Sequence, residues 1–302
     1  MLFYIYGYVL VSPYILGDQK HYRELYALFS NTDFTSILLV APSVIGSSEP
    51  VSLFILWIGS SLSIDKDIYI SFWNAVLLFG LFKLARKNRF GVFFITLLLT
   101  NFYVVVLLTG AERLKFSFIF IVYFYLFSER KFISWFLLIL AVFSHFQTLL
   151  FIFGLCVYRF LRIVMRMVFL TKLNYKLMFS IVPVSIVFIV FIVFFGNDVS
   201  QKISYYIRAG SFFDLVKLLI FLPVAFLSAR RRFDMLLMIV VFFPVVYLLG
   251  GDRVNMIVFM LVLFNLIIER KANAPFFLLL MIYFSLKSIE FIINIFSYGN
   301  GF

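Results

Sequence analysis

The sequence predicts an all-α protein whose helices are built to lie in a lipid bilayer. Composition is the first observation behind this. Of 302 residues, 64% are hydrophobic and 13% are charged, with a mean hydropathy of +1.10. A soluble domain has about 45–50% apolar and about 25% charged residues. The second observation is length. Residues 132–158 hold no formal charge apart from the titratable His145, and residues 177–196 are almost wholly apolar. A hydrocarbon core of about 30 Å needs roughly 20 such residues as a helix. The third is pattern. Barrel strands alternate apolar and polar over about 10 residues, whereas these runs are apolar on every face. In such a run only a helix closes its own backbone hydrogen bonds.

The elements follow in order. Met1 leads straight into apolar residues, with no basic stretch and no small-residue cleavage site, so residues 2–16 read as a retained first helix. Tyr22, Leu25, Tyr26 and Phe29 recur at helical spacing and predict a short amphipathic helix. Its plainer reading is an interfacial anchor. The sharper one is a wall or lid of a substrate groove. Residues 35–46 and 51–63 are each short for a span, and Pro42, Gly46 and Pro50 interrupt them. They read as a re-entrant pair. Asp65, Lys66 and Asp67 are then expected outside, and residues 68–85 run inward.

Basic clusters punctuate the rest: Lys83/Arg86/Lys87/Arg89, Arg130/Lys131, Arg159 to Lys176, Arg230–Arg232 and Arg270/Lys271. Three of the intervals between them are two-helix hairpins, turning at residues 109–113, 197–214 and 250–253. Each returns its clusters to one side, which the positive-inside rule makes cytoplasmic. Residues 132–158 would make one helix of about 40 Å, placing the later clusters outside. Broken near Ser144 and His145, they re-enter and keep every cluster inside. The polar group of Ser144, His145, Gln147 and Thr148 favours the break. The expected architecture is a single transmembrane domain over residues 1–302. It has about nine full spans and broken, re-entrant pairs near 35–63 and 132–158. No linker and no internal repeat is seen.

The net charge of +12 fits topology and anionic headgroups better than nucleic acid. Arg159, Arg162 and Arg166 share one helix face and read the same way. The lone Cys156 precludes an intramolecular disulfide and reads as packing. No zinc spacing, P-loop or dinucleotide fingerprint occurs, so no cofactor and no nucleotide-driven motor is expected.

The unusual polar residues gather on the expected outer side. Glu112-Arg113 and Asp252-Arg253 each follow glycine at an outer turn and open a helix. Charges in a membrane domain are costly and face a partner or a polar cavity. Ordinary loop charge, or a salt bridge within each pair, is the plainer account. Arginine matches phosphate oxygens bidentately. With Lys115, Lys202, Arg208 and His145 it makes a set suited to a pyrophosphate at the membrane surface. A satisfied core histidine is the plainer reading of His145. Its neighbour Gln147 and the helix break favour a site.

In their order along the chain these residues resemble the EpsG-like, Wzy-type polysaccharide polymerases of bacterial surface-glycan assembly. The likeness covers about residues 12–270. Pro13-Tyr14, Gly17-Asp18, Tyr22 and Tyr26 are similar to the family's G-D-x-x-Y segment. Glu49-Pro50 with Val51, Ser52, Leu53 and Phe54 resembles its E-P entry. Arg113 with the basic cap at residues 128–131 resembles its Arg-led helix. Phe143 to Leu149 resembles its F-H signature, and Lys202, Tyr206 and Arg253 resemble its later outer positions.

The resemblance implies a glycosyltransferase-C-like fold in the bacterial inner membrane. It also implies a reaction. A glycan on undecaprenyl pyrophosphate passes to the non-reducing end of a new lipid-linked repeat unit, and the first lipid pyrophosphate leaves. The leaving group is already activated, so the protein must position it and stabilise its growing charge. Arg113, Arg253 and Lys115 are the candidates for that. Asp18, Glu49, Glu112, Asp252 and His145 are open candidates for the general base. Lys202, Arg208, Tyr22, Tyr206 and Gln147 are expected to bind substrate. No carboxylate pair has metal-site spacing, so transfer is expected to be metal-independent. Expected partners are the lipid-linked oligosaccharide and membrane lipids, with a chain-length regulator and a flippase as further candidates, and no nucleic acid. The rivals are another lipid-linked glycan transferase such as an O-antigen ligase, and a flippase or transporter. A membrane acyltransferase is disfavoured because His145 has no acidic neighbour in sequence.

Overall fold

Apolar runs of the kind described above form helices, and every regular element among the described residues is α-helical. This computed structural model describes residues 1–30, 32–46, 48–157, 160 and 214–301. The expected turn at 197–214, the run at 177–196, the cluster from Arg159 to Lys176, and Lys202, Tyr206 and Arg208 lie outside the described residues, apart from Asp214. The chain groups into two units, Met1–Thr148 with Leu279–Phe302, and Leu149–Leu278.

The first unit opens with α1 (Leu2–Val11), shorter than expected. Pro13 lies just beyond it and cannot extend the ladder. The amphipathic helix α2 (Asp18–Phe29) follows, with Tyr22, Leu25, Tyr26 and Phe29 buried as the spacing predicts. The buried face meets protein. Ser60 Oγ donates to the Tyr26 carbonyl at 2.6 Å, and the Tyr26 hydroxyl donates to the Ile64 carbonyl at 2.9 Å. Burial, with Tyr69, Asp65 and Glu112 nearby, raises the Tyr26 pKa, so the phenol stays a neutral donor.

Next come α3 (Phe34–Ile45) and α4 (Pro50–Ser61), bent from each other by 106°. Gly46 closes α3 in the left-handed region at φ 63°, its N–H bonded to the Pro42 carbonyl. Pro50 opens α4 at the position where its missing N–H costs nothing. Glu49 is thereby held in extended backbone at the break.

The long helix α5 (Lys66–Lys87) begins under an Asp65 cap that accepts from the N–H groups of Asp67 and Ile68. Helices α6 (Val92–Leu99) and α7 (Phe102–Thr109) replace the single helix expected there, with a 47° bend between them. Asn101 makes the bend by accepting from the Tyr103 N–H at 3.0 Å. Helix α8 (Glu112–Leu126) starts at the expected turn. Helix α9 (Lys131–Ser144) stops at His145, and α10 (Thr148–Val157) begins three residues later, so the break falls where the polar residues predicted it.

The end of α15 (Pro275–Tyr298) packs on this unit by aromatic contacts, Phe284 on Tyr103 at 4.8 Å and Phe291 on Phe102 at 5.5 Å. The Gly299 carbonyl accepts from the N–H groups of Ile15 and Leu16. Gly7 of α1 lies against Asn74 of α5, where a Cβ would come within 2.6 Å of the Asn74 Cβ.

The second unit holds most of α10, then α11 (Leu215–Ser228), α12 (Arg232–Val240), α13 (Phe242–Leu249) and α14 (Gly251–Ile268). Helix α14 is its core, with Val254 and Met256 to Phe264 buried without interruption. Gly250, at φ 82°, separates α13 from α14 at the expected turn. By length and composition α5 and α15 can each cross a membrane. Among the described residues the count rises to four if the α3–α4 and α6–α7 pairs are each one span.

Candidate functional site

Three breaks in the helices deliver polar side chains to one place in the first unit. The α3–α4 break supplies Glu49, the α9–α10 break supplies His145, and the α7–α8 turn supplies Glu112 and Arg113. The amphipathic α2 lays Gln19 and Tyr22 over them. Broken ends are the natural source of such groups, because irregular backbone at membrane depth is tolerated only where protein or a polar cavity surrounds it.

Glu49 is the hub. Its side chain is fully buried. One oxygen, Oε2, accepts from Arg113 Nη1 at 2.6 Å. The other, Oε1, lies 2.8 Å from His145 Nδ1 and accepts from the Phe146 N–H at 3.2 Å. A carboxylate at Nδ1 fixes the imidazole as the Nδ1–H form and turns Nε2 outward as the basic nitrogen. Nε2 faces the Gln147 side-chain amide at 3.1 Å. The amide atom nearest Nε2 is Oε1, which accepts from Nε2–H of a protonated ring; a neutral Nδ1–H ring is matched when the amide turns over to present its N–H.

Arg113 is gripped from two sides. Its Nε donates to the Tyr22 hydroxyl at 3.1 Å while Nη1 holds Glu49. These bonds occupy two of the five N–H donors of a guanidinium. The side chain retains 10% exposure. The other three donors make no hydrogen bond among the described residues.

Beside this array lies a second one. Lys66 Nζ donates to Glu112 Oε1 at 2.6 Å and to Gln19 Oε1 at 2.7 Å. Gln19 Nε2 donates to Glu112 Oε1 at 2.8 Å and to the Thr109 carbonyl. Glu112 and Arg113 thus do not pair with each other, as the plainer sequence reading had it. Each has its own partner of opposite charge.

Lys115 is wholly buried and donates to Asn74 Oδ1 at 2.8 Å. Asn74 Nδ2 in turn donates to the Leu108 carbonyl at 3.0 Å. In the two arrays Arg113 and Lys66 are balanced by Glu49 and Glu112, while Lys115 is buried against the neutral Asn74 amide.

Of the other expected site residues, Asp18 is the exposed first residue of α2, where its charge favours the helix N-terminus. Asp252 and Arg253 lie in the first turn of α14 in the second unit. The Asp252 side chain lies outside what is described, and Arg253 is half-buried. The structure therefore gathers Arg113 and His145 on the Glu49 carboxylate, with Tyr22 on Arg113, Gln147 on His145, and Glu112 next to Arg113 in the chain.

Sequence reasoning missed Lys66, Gln19 and Asn74. Asp65, Lys66 and Asp67 read simply as an outer loop. Asn74, an amide in the middle of an apolar helix, was the readable signal, because a polar group in a span marks a partner. Among the described residues no three of His, Cys, Asp and Glu gather as a metal site. Compared with known proteins, the chain matches no family model, no curated protein and no solved structure.

Proposed function

We propose that this chain is a Wzy-type polymerase of lipid-linked glycan in the bacterial inner membrane, multi-pass and glycosyltransferase-C-like in arrangement. It transfers the growing glycan from undecaprenyl pyrophosphate to a new lipid-linked repeat unit at the outer face. The observation that carries the reading is the meeting of Arg113, Glu49 and His145. Such an array has a base, an orienting carboxylate and a phosphate ligand in one site.

The acceptor hydroxyl displaces the Gln147 amide and hydrogen-bonds to His145 Nε2. His145 takes the hydroxyl proton as its oxygen attacks the anomeric carbon. The bond from that carbon to the pyrophosphate oxygen breaks, and the electron pair leaves on undecaprenyl pyrophosphate. Glu49 stabilises the imidazolium that forms, as an orienting carboxylate does for a histidine base. The free donors of Arg113 meet the charge growing on the leaving phosphate. Arg253, in the second unit, is a separate candidate from the sequence alone. No divalent ion and no nucleotide enters the step. Lipid-linked oligosaccharide and membrane lipids are the partners, with a chain-length regulator and a flippase acting before or after transfer.

A deletion strain tests this. It is expected to display single repeat units in place of a surface-glycan ladder, and the wild-type chain restores the ladder. His145→Ala, at normal protein level, is expected to restore none, since general base catalysis contributes about 10²–10⁴-fold. An unchanged ladder in the deletion strain contradicts the reading.

One observation favours a second reading. Acyl transfer was set aside for want of an acid near His145, and Glu49 supplies that acid. Labelled acyl donors offered to membranes, with and without His145, separate the two. Acyl label entering a carbohydrate acceptor only when His145 is present would favour this second reading.

A further inference from the structure

We infer that Lys66, Gln19 and Glu112 are positioning residues that align Arg113 for the transfer step. The inference rests on the polymerase reading above.

The argument begins with how α2 is attached. Arg23 pairs with Asp67 at 2.8 Å, and the Tyr26 hydroxyl bonds the Ile64 carbonyl. Both ties run to α5 or the turn before it, so α2 and the start of α5 move together. Between α2 itself and α8 the described side-chain bonds are Tyr22 with Arg113 and Gln19 with Glu112, the second shared with Lys66 of α5. Further along, α5 and α8 are also joined by Lys115 with Asn74 and by Tyr123 with the Val76 carbonyl. Gln19 and Tyr22 sit one turn apart on the same face of α2. Glu112 and Arg113 are the first two residues of α8. With Tyr22 to Arg113 as the one bridge from α2 to α8, the first turn of α2 could still swing against the start of α8. The second bridge, one turn away, removes that swing. Gln19 also reaches the Thr109 carbonyl at the end of α7, so the lock grips both sides of the α7–α8 turn.

Stability alone does not call for this device. A buried ion pair contributes little next to well-packed apolar residues of the same volume, and its attested use is to fix register. What this register fixes is the phenol that holds Arg113 Nε. A guanidinium fork must sit within about 0.5 Å of its productive place to be useful, and a displacement of about 1 Å costs roughly 10²-fold in rate. Glu112 is poorly placed to act on substrate itself. Its Oε1 is taken by a cation and an amide, and its Oε2 is shut from solvent with no protein donor among the described residues. Lys66 and Gln19 therefore supply the described hydrogen bonds to this anion.

The test uses the full chain in liposomes with lipid-linked repeat units, reading kcat and KM beside monodispersity in detergent. Lys66→Met with Glu112→Leu removes both charges together. It is expected to leave a monodisperse protein whose kcat falls about 100-fold, while KM changes less than about threefold. In an Arg113→Lys background the same pair of changes is expected to lower kcat by less than about threefold, because an ammonium is a point charge with no fork to align. The exchange Lys66→Glu with Glu112→Lys restores the pair and is expected to return kcat to within about tenfold of wild type. Should the apolar pair fail to fold, Gln19→Leu makes the comparison, keeping the ion pair and cutting the tie to α2. Its kcat is expected to fall about tenfold in the wild-type background and to stay unchanged with Arg113→Lys.

Three results overturn the inference. The first is near-normal kcat without the triangle. The second is equal losses in both backgrounds. The third is a folded exchange variant with no activity, which would mean that Glu112 itself touches substrate. Wild-type protein that makes no polymer in this assay would sink the polymerase reading, and this inference with it. Wild-type polymer with any of the three results sinks the inference alone.

Discussion

Cells whose only copy carries Arg113→Ala are expected to display single repeat units and no glycan ladder, with the protein still made and inserted. On the proposed reading, Arg113 offers its remaining N–H donors to the leaving pyrophosphate. Removing one preorganised donor from such a site costs about 10²–10³ in kcat. Truncation also takes the Nη1 partner from Glu49. The buried carboxylate keeps the Phe146 N–H and His145 as partners. Arg113→Ala is therefore expected to be less stable than wild type but to fold. Arg113→Lys is expected to give short, sparse ladders, because lysine carries the charge without the bidentate fork. Arg253→Ala is expected to give the same glycan phenotype. Gel analysis of surface glycan beside an immunoblot for the protein reads both. Normal ladders from both alanine variants at normal protein level would remove arginine from the site.

Glu49→Ala is expected to have the largest effect on the protein itself. It leaves Arg113 as a buried cation without its carboxylate, His145 without the group that fixes its tautomer, and the Phe146 N–H without its acceptor. Breaking a buried pair by removing one partner costs about 3–5 kcal/mol, a large share of the stability of an ordinary domain. Little monodisperse protein is expected from Glu49→Ala in detergent. Glu49→Gln keeps the shape and is expected to restore yield but no ladder. Its amide lacks the charge that balances Arg113 and stabilises an imidazolium. Size-exclusion yield and glycan length, measured on the same strains, check both statements. A stable, active Glu49→Ala would show that the hub is dispensable.

Much of this site was written locally in the chain. The stripe of Tyr22, Leu25, Tyr26 and Phe29 has helical period, and period alone reports which face is buried. Glu49-Pro50 reads as a helix entry because proline fits the first turn. Ser144 and His145 mark a break because they place polar groups inside an apolar run. The same logic applied to Thr100 and Asn101 would have found the α6–α7 bend, where the uninterrupted apolar flanks suggested one helix instead. Pro13 likewise argued for ending α1 sooner.

Other parts were not local. Lys66 meets Glu112 across 46 residues, and Gln19 meets it across 93. His145 meets Glu49 across 96. No spacing rule connects such positions, because tertiary packing of broken helices brings them together. The sequence could propose each as a site residue, as it did for Glu49, Glu112 and His145. It could not say that one carboxylate joins arginine to histidine while the other joins lysine to glutamine. That division matters for the proposed mechanism, in which His145 is the base with an orienting acid and Glu112 has a different task.

The most direct measurement is reconstitution. The purified chain is placed in liposomes with lipid-linked repeat units as the sole added substrate, in EDTA and without nucleotide, and product length is read on a gel. The pyrophosphate linkage stores the driving force, and fixed cations can supply the charge stabilisation that a divalent ion gives elsewhere. The expected result is a ladder of lipid-linked polymer that forms with wild type and is absent with His145→Ala. Polymer that appears only after magnesium or manganese is added would hand part of the role of Arg113 to a metal. No polymer under any ion condition, from protein that is monodisperse and correctly inserted, would contradict the account at its centre.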